Sequence, residues 1–549
     1  MKYKLVDLQT AINKIGDGPI AFDTETDGFY GKIVLAQFYQ KGWEEVLMVH
    51  APNAYELLGY LSKIDNTLVM HRALYDITTV QRQTGAPYIP NDFDDTLLLA
   101  RIAWAGLKKF ALDELLTVML KRDPYKEQGI SKKDMHKATW KTTVLPSPDQ
   151  LTYAAIDVWY LLDLYEAVLS AKESFSYKLD MKFLDRCLVF QRNGMYVDQE
   201  RVEAKLESNL ALIEQYNMPI NVNSYKQVRP YIGSDNSDAL GLATLALKGN
   251  EKAANVRTVR QLIKQNSFLH KYITPDGFIY GAFGPYARSG RATCDQDNLQ
   301  QLPRKTKDCF GAEPGRRMLY SDYSQLELRS ITSITGDQHM TETYVNNGDI
   351  HNLVRDMLLI DRQIAKTVNF NALYGGGVNM LQGILIKDAD LLLPHTEVSK
   401  ILKKWKNLFR GIAAWQEKGI RDYNAGRLGR TACGRQYIGN LMTDQLNIEN
   451  QGTGSEVAKL AMHYMFDDLL DLDCNITNFV HDSYILDTPD DDEVSSKASK
   501  IMADAMQEAW FSVISELKVP NLPMPVTVRG GYNWGDIEAD KFVFEYIQE

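Results

Sequence analysis

Cysteine is scarce in this chain of 549 residues: there are five, at Cys187, Cys294, Cys309, Cys433 and Cys474, odd in number and never in C-x-x-C spacing. That speaks against a disulfide framework and a zinc site, and it fits a reducing compartment such as the cytoplasm. No run of eighteen apolar residues occurs, so no membrane span is expected. The opening, MKYKLVDLQTAINKIGDG, is amphipathic and of mixed charge, without the apolar core of a signal peptide. No G-x-x-x-x-G-K-S/T loop is present, which removes a P-loop motor such as a helicase fusion. Positive charge is also in deficit, with a net charge of −10. Binding of a polyanion nevertheless depends on where the cations lie. Two basic stretches, SKKDMHKATWK (131–141) and SKILKKWKNLFR (399–410), are available for it, although each also reads as a solvated loop or helix face.

What remains is an ordinary soluble composition, 45% hydrophobic and 24% charged, in a chain long enough for two to four domains. The stretch AFDTETDG (21–28) raises the first chemical question. In a strand, Asp23 and Glu25 point to the same side, and two carboxylates that close repel unless something positive lies between them. Asp27-Gly28 is also a good turn pair, so an exposed strand end is the rival explanation. PIAFDTE, IVLAQFY and EEVLMVH read as successive strands, and TLVMHRALYDITTVQRQ as a strand running into a helix. Ser147-Pro148-Asp149-Gln150 forms a capping box with proline at the first helical position. The helix it opens, DQLTYAAIDVWYLLDLYEAVL, is predicted to run about twenty residues. On it Tyr153 and Asp157 are four apart and share a face, and Asp157 and Asp76 both sit in largely apolar settings.

D-x-E, a lone Asp and Y-x-x-x-D, in the order Asp23, Glu25, Asp76, Tyr153 and Asp157, resemble the DEDDy 3′–5′ exonucleases. The resemblance implies a ribonuclease H-like domain in which the four acids hold two metal ions and Tyr153 orients the attacking water. The chemistry agrees, because phosphodiester hydrolysis at neutral pH needs an activated nucleophile and charge neutralisation, which paired hard cations on carboxylates supply. One departure is Arg72, where the family has Asn; an arginine there could hold a phosphate.

After a junction near residue 180, helical patterns dominate, with NGMYVD as a short strand insert. RMLYSDYSQLELRSIT (317–332) is a strand running into a helix, with Asp322 at the strand end; Ser324 and Glu327 fit a capping box. In DRQIAKTVNFNALYGGG (361–377), Arg362, Lys366, Phe370 and Tyr374 recur every four residues, and the glycine run ends the helix. NFVHDSYILDT (478–488) reads as a hairpin with His481-Asp482 at its tip. In this order the three stretches resemble motifs A, B and C of family A DNA polymerases, which include the large fragment of bacterial DNA polymerase I and several bacteriophage replicases. SGRATCDQDNLQQLP (289–303), GDIHN (348–352), TACGR (431–435), NIENQGTG (447–454) and GYNWGD (531–536) resemble further elements of the family.

The resemblance implies an α/β multidomain chain: an exonuclease domain over 1–180, then a right-hand polymerase domain over 181–549. Within the latter, the thumb is expected at about 200–275, the palm at about 276–345 and 441–549, and the fingers at about 346–440. It implies template-directed DNA synthesis from dNTPs, with 3′–5′ proofreading. Asp322, Asp482 and the Tyr323 carbonyl would hold two Mg²⁺, which Mn²⁺ could replace, and the exonuclease acids would hold two more. His351, Arg362 and Lys366 would clamp the triphosphate, Phe370 and Tyr374 would stack near the nascent pair, and Glu327 would close the space of a ribose 2′-OH. Arg291, Arg435, Asn447, Gln451 and His481 would contact primer-template DNA, largely in the minor groove.

Motif C departs from the family in having Ser483 where Glu is usual; two Asp with triphosphate oxygens suffice for two metals. An exonuclease with an inactive polymerase body is the alternative, and intact Asp322, Asp482, Arg362 and Lys366 speak against it. Glu327 and the attached exonuclease speak against a single-subunit RNA polymerase. The chain starts directly at the exonuclease, so no 5′ nuclease domain is expected before it. A monomer is expected, in the cytoplasm of a bacterial host if the source is a bacteriophage. Limited room for a thumb leaves a processivity factor, helicase or single-strand binding protein as candidate partners.

Overall fold

The computed structural model describes residues 1–548. The chain divides into two compact units: Met1–Arg192 with Gly281–Asp297 and Leu428–Ile438, and Asn193–Tyr280 with Asn298–Arg427 and the chain from Gly439 onward. Among the described residues no helix is long and apolar enough to cross a membrane.

In the first unit six strands form one sheet: β1 (Tyr3–Leu5), β2 (Ile20–Asp27), β3 (Lys32–Tyr39), β4 (Val46–His50), β5 (Leu68–Met70) and β6 (Phe93–Asp95). Their order is β1-β4-β3-β2-β5-β6. β2 pairs antiparallel with β3 and parallel with β5, and β5 runs parallel to β6. Only Lys32 of β3 is exposed, as expected of a strand covered on both faces. Phe22, Val34, Leu47, Leu58, Leu98, Ile156 and Leu164 belong to one continuous buried cluster. The capping box at Ser147 forms in full, with Pro148 at the helix start. The predicted long helix is two shorter ones, Pro148–Trp159 and Leu161–Val168, broken at Tyr160. At the break Trp159 packs on Tyr39, ring centroids 4.7 Å apart.

The second unit is built on a five-stranded antiparallel sheet in the order Asn475–Val480, Ser483–Pro489, Arg316–Tyr323, Val526–Gly531 and Phe544–Gln548. Two long helices, Met442–Asp471 and Asp492–Ile514, pack against each other. Helices Gln199–Tyr216, Tyr225–Ile232, Ala239–Leu247 and Glu251–Tyr272 occupy the region expected for a thumb. They contribute to a small separate core around Val228, Leu242, Val256 and Val259. The NGMYVD insert is the two-residue strand Met195–Tyr196, paired with Phe278–Ile279.

The units differ from the expected subdivision in two ways. The helix Phe175–Phe190 stays with the first unit because Tyr177, Leu184 and Leu188 are buried in its core cluster. Segments 281–297 and 428–438, expected in palm and fingers, also belong there. The physical reason is a set of buried polar ties: the Tyr286 hydroxyl donates to Asp95 at 2.7 Å, and the Arg435 guanidinium donates to Asp180 at 2.6 Å.

Candidate active sites

In the first unit, Asp23 and Glu25 sit near the end of β2, and Asp157 on the helix opened by the Ser147 capping box. One carboxylate oxygen from each lies within 4.8 Å of one from each of the others. Asp76 is fixed on the helix Ala73–Thr84, whose first amides are capped by Asp95 of β6: Arg72 N and Ala73 N donate to its two oxygens at 3.1 and 3.0 Å. Asp76 accepts from the Thr24 hydroxyl at 2.6 Å and stands outside the 4.8 Å group. Gln37 of β3 donates to Asp23 at 2.5 Å.

Burial pushes Asp23 well up, and Asp76, Asp157 and Glu25 add to it by like charge. Glu25 is raised by burial and then by Asp157 and Asp76. Burial raises Asp76 to about 7 and Asp157 to about 6. Crowded carboxylates that resist ionisation alone fit a site completed by hard cations, for which oxygen donors are the preferred set.

Asp23 and Asp157 line a cleft of about 530 Å³. Tyr153 lines it too, together with Arg72, Arg101, Lys108, Lys132 and Arg288, and with His71 and His136. Burial lowers His71 to about 3, so its imidazole is neutral at pH 7. Arg101 is anchored on the Tyr286 carbonyl at 2.5 Å and Arg288 on the Ile438 carbonyl at 2.7 Å. Lys132 and His136 of the basic stretch 131–141 line the cleft, while Lys133, Lys137 and Lys141 are exposed, as the solvated-loop reading expects. Arg72 adopts a left-handed backbone (φ 71°), pairs with Asp295 at 2.6 Å and lies over the Tyr286 ring. Phe29 is 61% exposed and its ring packs on Tyr30 and Tyr75.

In the second unit, Asp322 lies near the end of the Arg316–Tyr323 strand, directly opposite Ser483 of the neighbouring strand. Asp482 precedes Ser483 in a two-residue turn whose other member, His481, has a left-handed backbone (φ 59°). Adjacent strand ends therefore bring the two acids together. Asp322 is open to solvent on one side, yet the protein around its carboxyl raises it well above the usual range. Asp482 and Glu538 add by like charge, while Lys366 opposes them. Glu538 is tied to Lys307 at 2.6 Å. Ser483 donates to the Val480 carbonyl at 3.0 Å and closes the turn.

Arg362 starts the helix Arg362–Leu373 and binds Asp349 at 2.9 Å and Asn352 at 3.1 Å. Lys366 follows on the same face, and Gly375 (φ 73°) terminates the segment as expected. The capping box expected at Ser324 and Glu327 does not form. Gln325, in a left-handed conformation, is the N-cap and makes no side-chain cap bond. Glu327 instead accepts a hydrogen bond from Tyr374, while Asn450 donates to its backbone carbonyl at 3.0 Å. His351 is 4% exposed, bonds to Asn369 at 2.8 Å and packs 6.0 Å from the Phe370 ring. Burial holds it down at about 4, so in this structure its imidazole is neutral at pH 7. The Tyr323 side chain is buried, with its hydroxyl on the Met506 carbonyl at 3.1 Å.

The residues expected to meet DNA separate into two groups. Asn447 and Gln451 lie one turn apart on the helix Met442–Asp471, and His481 is in the turn beside Asp482. Arg291 and Arg435 lie in the first unit. Arg435 is 3% exposed on its side chain and paired with a fully buried Asp180, so its guanidinium faces the interior, not a DNA surface. Sequence reasoning missed Gln37, Thr24, Tyr125, Glu538 and Asn450. Thr24 could have been found from its place between Asp23 and Glu25; Gln37 and Tyr125 have partners 14 and 32 residues away, and Asn450 and Glu538 partners 123 and 231 residues away.

Comparison with known proteins identifies a family for each part of the chain. The family model for DNA polymerase family A matches residues 197–536, and that for a 3′-5′ exonuclease matches residues 3–171. The chain is 24% identical to the DNA polymerase I of Aquifex aeolicus, over 93% of this chain and 96% of that protein. It is 25% identical to the thermostable DNA polymerase I of Thermus filiformis over 68% of this chain, spanning about half (47%) of that enzyme's length. The DNA polymerase of Mycobacterium phage L5 is 26% identical over 68% of this chain and 66% of that one. In fold, the chain is similar to the POL domain of Pol1 from M. smegmatis, solved with DNA primer-template and dNTP: TM-score 0.72, 18% identity, 94% of this chain and 95% of that one. Polymerase and exonuclease domains of these kinds are metal-dependent. The chain belongs to DNA polymerase family A and carries a 3′–5′ exonuclease domain ahead of its polymerase domain.

Proposed function

We propose that the second unit extends a primer 3′ end from dNTPs under template direction, and that the first removes mispaired 3′ nucleotides. The observation that carries this reading is the presence in one chain of two separate carboxylate centres, Asp23–Glu25–Asp157 and Asp322–Asp482. Bound Mg²⁺ would supply charge neutralisation and activation of the attacking oxygen in both centres.

In the polymerase centre, Asp322, Asp482 and the Tyr323 carbonyl would hold the metal ions. Arg362 and Lys366 supply fixed positive charge for the triphosphate, and His351, neutral, contributes a hydrogen-bonding ring beside Phe370. Glu327 with Tyr374 forms the wall against a 2′-OH. Asn447, Gln451 and His481 are the proposed primer-template contacts of the second unit, and Arg291 is one proposed for the first. The cytoplasm of a bacterial host is the proposed site of action.

In the nuclease centre, Asp23, Glu25, Asp76 and Asp157 would hold the metals and Tyr153 would orient the attacking water. The basic cleft walls would neutralise the phosphates of an unpaired strand, and exposed Phe29 offers a face for a terminal base.

The test is an end-labelled primer on a longer template. Without dNTPs the label should shorten from the 3′ end, with dNTPs it should lengthen, and EDTA should stop both. Cleavage from the 5′ end, or extension that survives chelation, would refute the reading.

A further inference from the structure

Tyr125 is 1% exposed and donates its phenol hydrogen bond to Asp157. Its backbone is fixed on both sides: its amide donates to Asp123 at 3.0 Å, and its carbonyl accepts from Ile130 N at 2.9 Å. Its ring lies 5.8 Å from that of Tyr153, tilted by 40°. On this ring sits the Lys132 ammonium, 5.0 Å from the centroid, and Lys132 is itself held by Asp113 at 2.8 Å. A chain of contacts thus runs Asp113, Lys132, Tyr125, Asp157, and ends on a carboxylate of the 4.8 Å group.

A carboxylate turns freely about its bond, so keeping Asp157 towards Asp23 and Glu25 calls for fixed partners; Tyr125 holds Oδ1, and the Tyr153 hydroxyl also bonds this carboxylate. Hydrogen-bond partners of ligating carboxylates do this in metal centres generally. We propose that Tyr125 is a positioning residue of the nuclease centre, holding Asp157 in the orientation that a divalent cation needs, with Lys132 locking the Tyr125 ring. The inference rests on the nuclease reading of the first unit. The rival account is that Tyr125 is a core residue that happens to satisfy its hydroxyl on the nearest acceptor. The two differ in outcome: a core role affects stability, whereas a positioning role affects metal affinity.

The experiment uses the full chain with Asp322→Asn and Asp482→Asn, so that Mn²⁺ binding followed by electron paramagnetic resonance reports the nuclease centre. Tyr125→Phe keeps the ring under Lys132 and removes only the O–H. It should weaken Mn²⁺ binding roughly tenfold or more, the usual size of such an effect. In the chain with an intact polymerase centre, the same change should raise the Mg²⁺ concentration for half-maximal degradation of a single-stranded oligonucleotide. Saturating Mg²⁺ should restore most of the turnover, and primer extension should not change. Lys132→Met, which leaves the Tyr125 hydroxyl in place, should weaken binding by a smaller factor and serves if Tyr125→Phe fails to fold. Binding within twofold of the parent in the folded variants would overturn the proposal. Asp157→Asn separates the two levels: if it binds Mn²⁺ and degrades DNA normally, the nuclease reading itself fails. If it is inactive while Tyr125→Phe is normal, only the positioning role fails.

Discussion

Asp180→Leu should cost the protein more stability than any surface change. Asp180 and Arg435 are paired at 2.6 Å with side chains 0% and 3% exposed. Removing the carboxylate strands a guanidinium in the interior, near Arg101, which burial and the Arg435 charge already lower to about 10. Breaking a buried pair in this way costs about 3–5 kcal/mol, whereas an exposed pair contributes about 0–1 kcal/mol. In a unit of about two hundred residues that loss corresponds to a fall in Tm of about 6–20 °C. Differential scanning calorimetry and urea titration would read it. The double variant Asp180→Leu with Arg435→Met removes both charges and should recover most of the loss, since apolar replacement of a whole buried pair is often neutral. A loss below about 1 kcal/mol for Asp180→Leu would refute the reasoning. So would an Arg435→Met variant of normal stability and weakened DNA binding, which would restore the role expected from sequence.

Glu327→Ala should raise ribonucleotide incorporation, and Tyr374→Phe should do so in part, because the hydroxyl holding Glu327 is lost; a hydrogen bond to a charged group contributes about 1.5–3 kcal/mol, so a tenfold effect is in range. Unchanged rNTP selectivity in both would rule out the wall. Phe370→Tyr should improve dideoxynucleotide use at least several-fold, read as the dNTP-to-ddNTP ratio with proofreading silenced, because a hydroxyl there adds a hydrogen bond of roughly 0.5–1.5 kcal/mol. His351, facing Asp349, Arg362 and Lys366, is held at about 4 against an ordinary 6.5. The unfolded chain therefore binds the extra proton first, and stability falls as pH drops from 6.5 towards 4, by roughly 3 kcal/mol from this residue. His351→Gln should flatten that part of the pH–stability curve, and an unaltered slope would show that another group carries it.

The sequence reached most of the acids proposed to bind metal because their geometry is local. Asp23 and Glu25 share a strand face by the two-residue period, Tyr153 and Asp157 share a helix face, and the His481–Asp482 turn is marked by the apolar runs on either side. The Ser147 capping box was legible for the same reason. Long-range pairings were not. Arg72 meets Asp295 across 223 residues and Arg435 meets Asp180 across 255, and no spacing rule reaches that far. The Ser324–Glu327 capping box failed for a related reason: a tertiary partner, Tyr374, took the carboxylate that the local motif would have used. Lys132 belonged to a stretch that composition could describe only as basic; its place in the cleft depends on how the helix Lys132–Met135 folds back on the site.

The most direct test of two independent centres in one chain is a single-turnover assay on a primer with a mismatched 3′ nucleotide. Three proteins are compared: wild type, Asp23→Ala with Glu25→Ala, and Asp482→Asn. The account predicts that wild type removes the mismatch and then extends, that the double variant extends matched primers but leaves the mismatch, and that Asp482→Asn removes nucleotides without extending. Loss of both activities in either folded variant, or normal extension by Asp482→Asn, would contradict it.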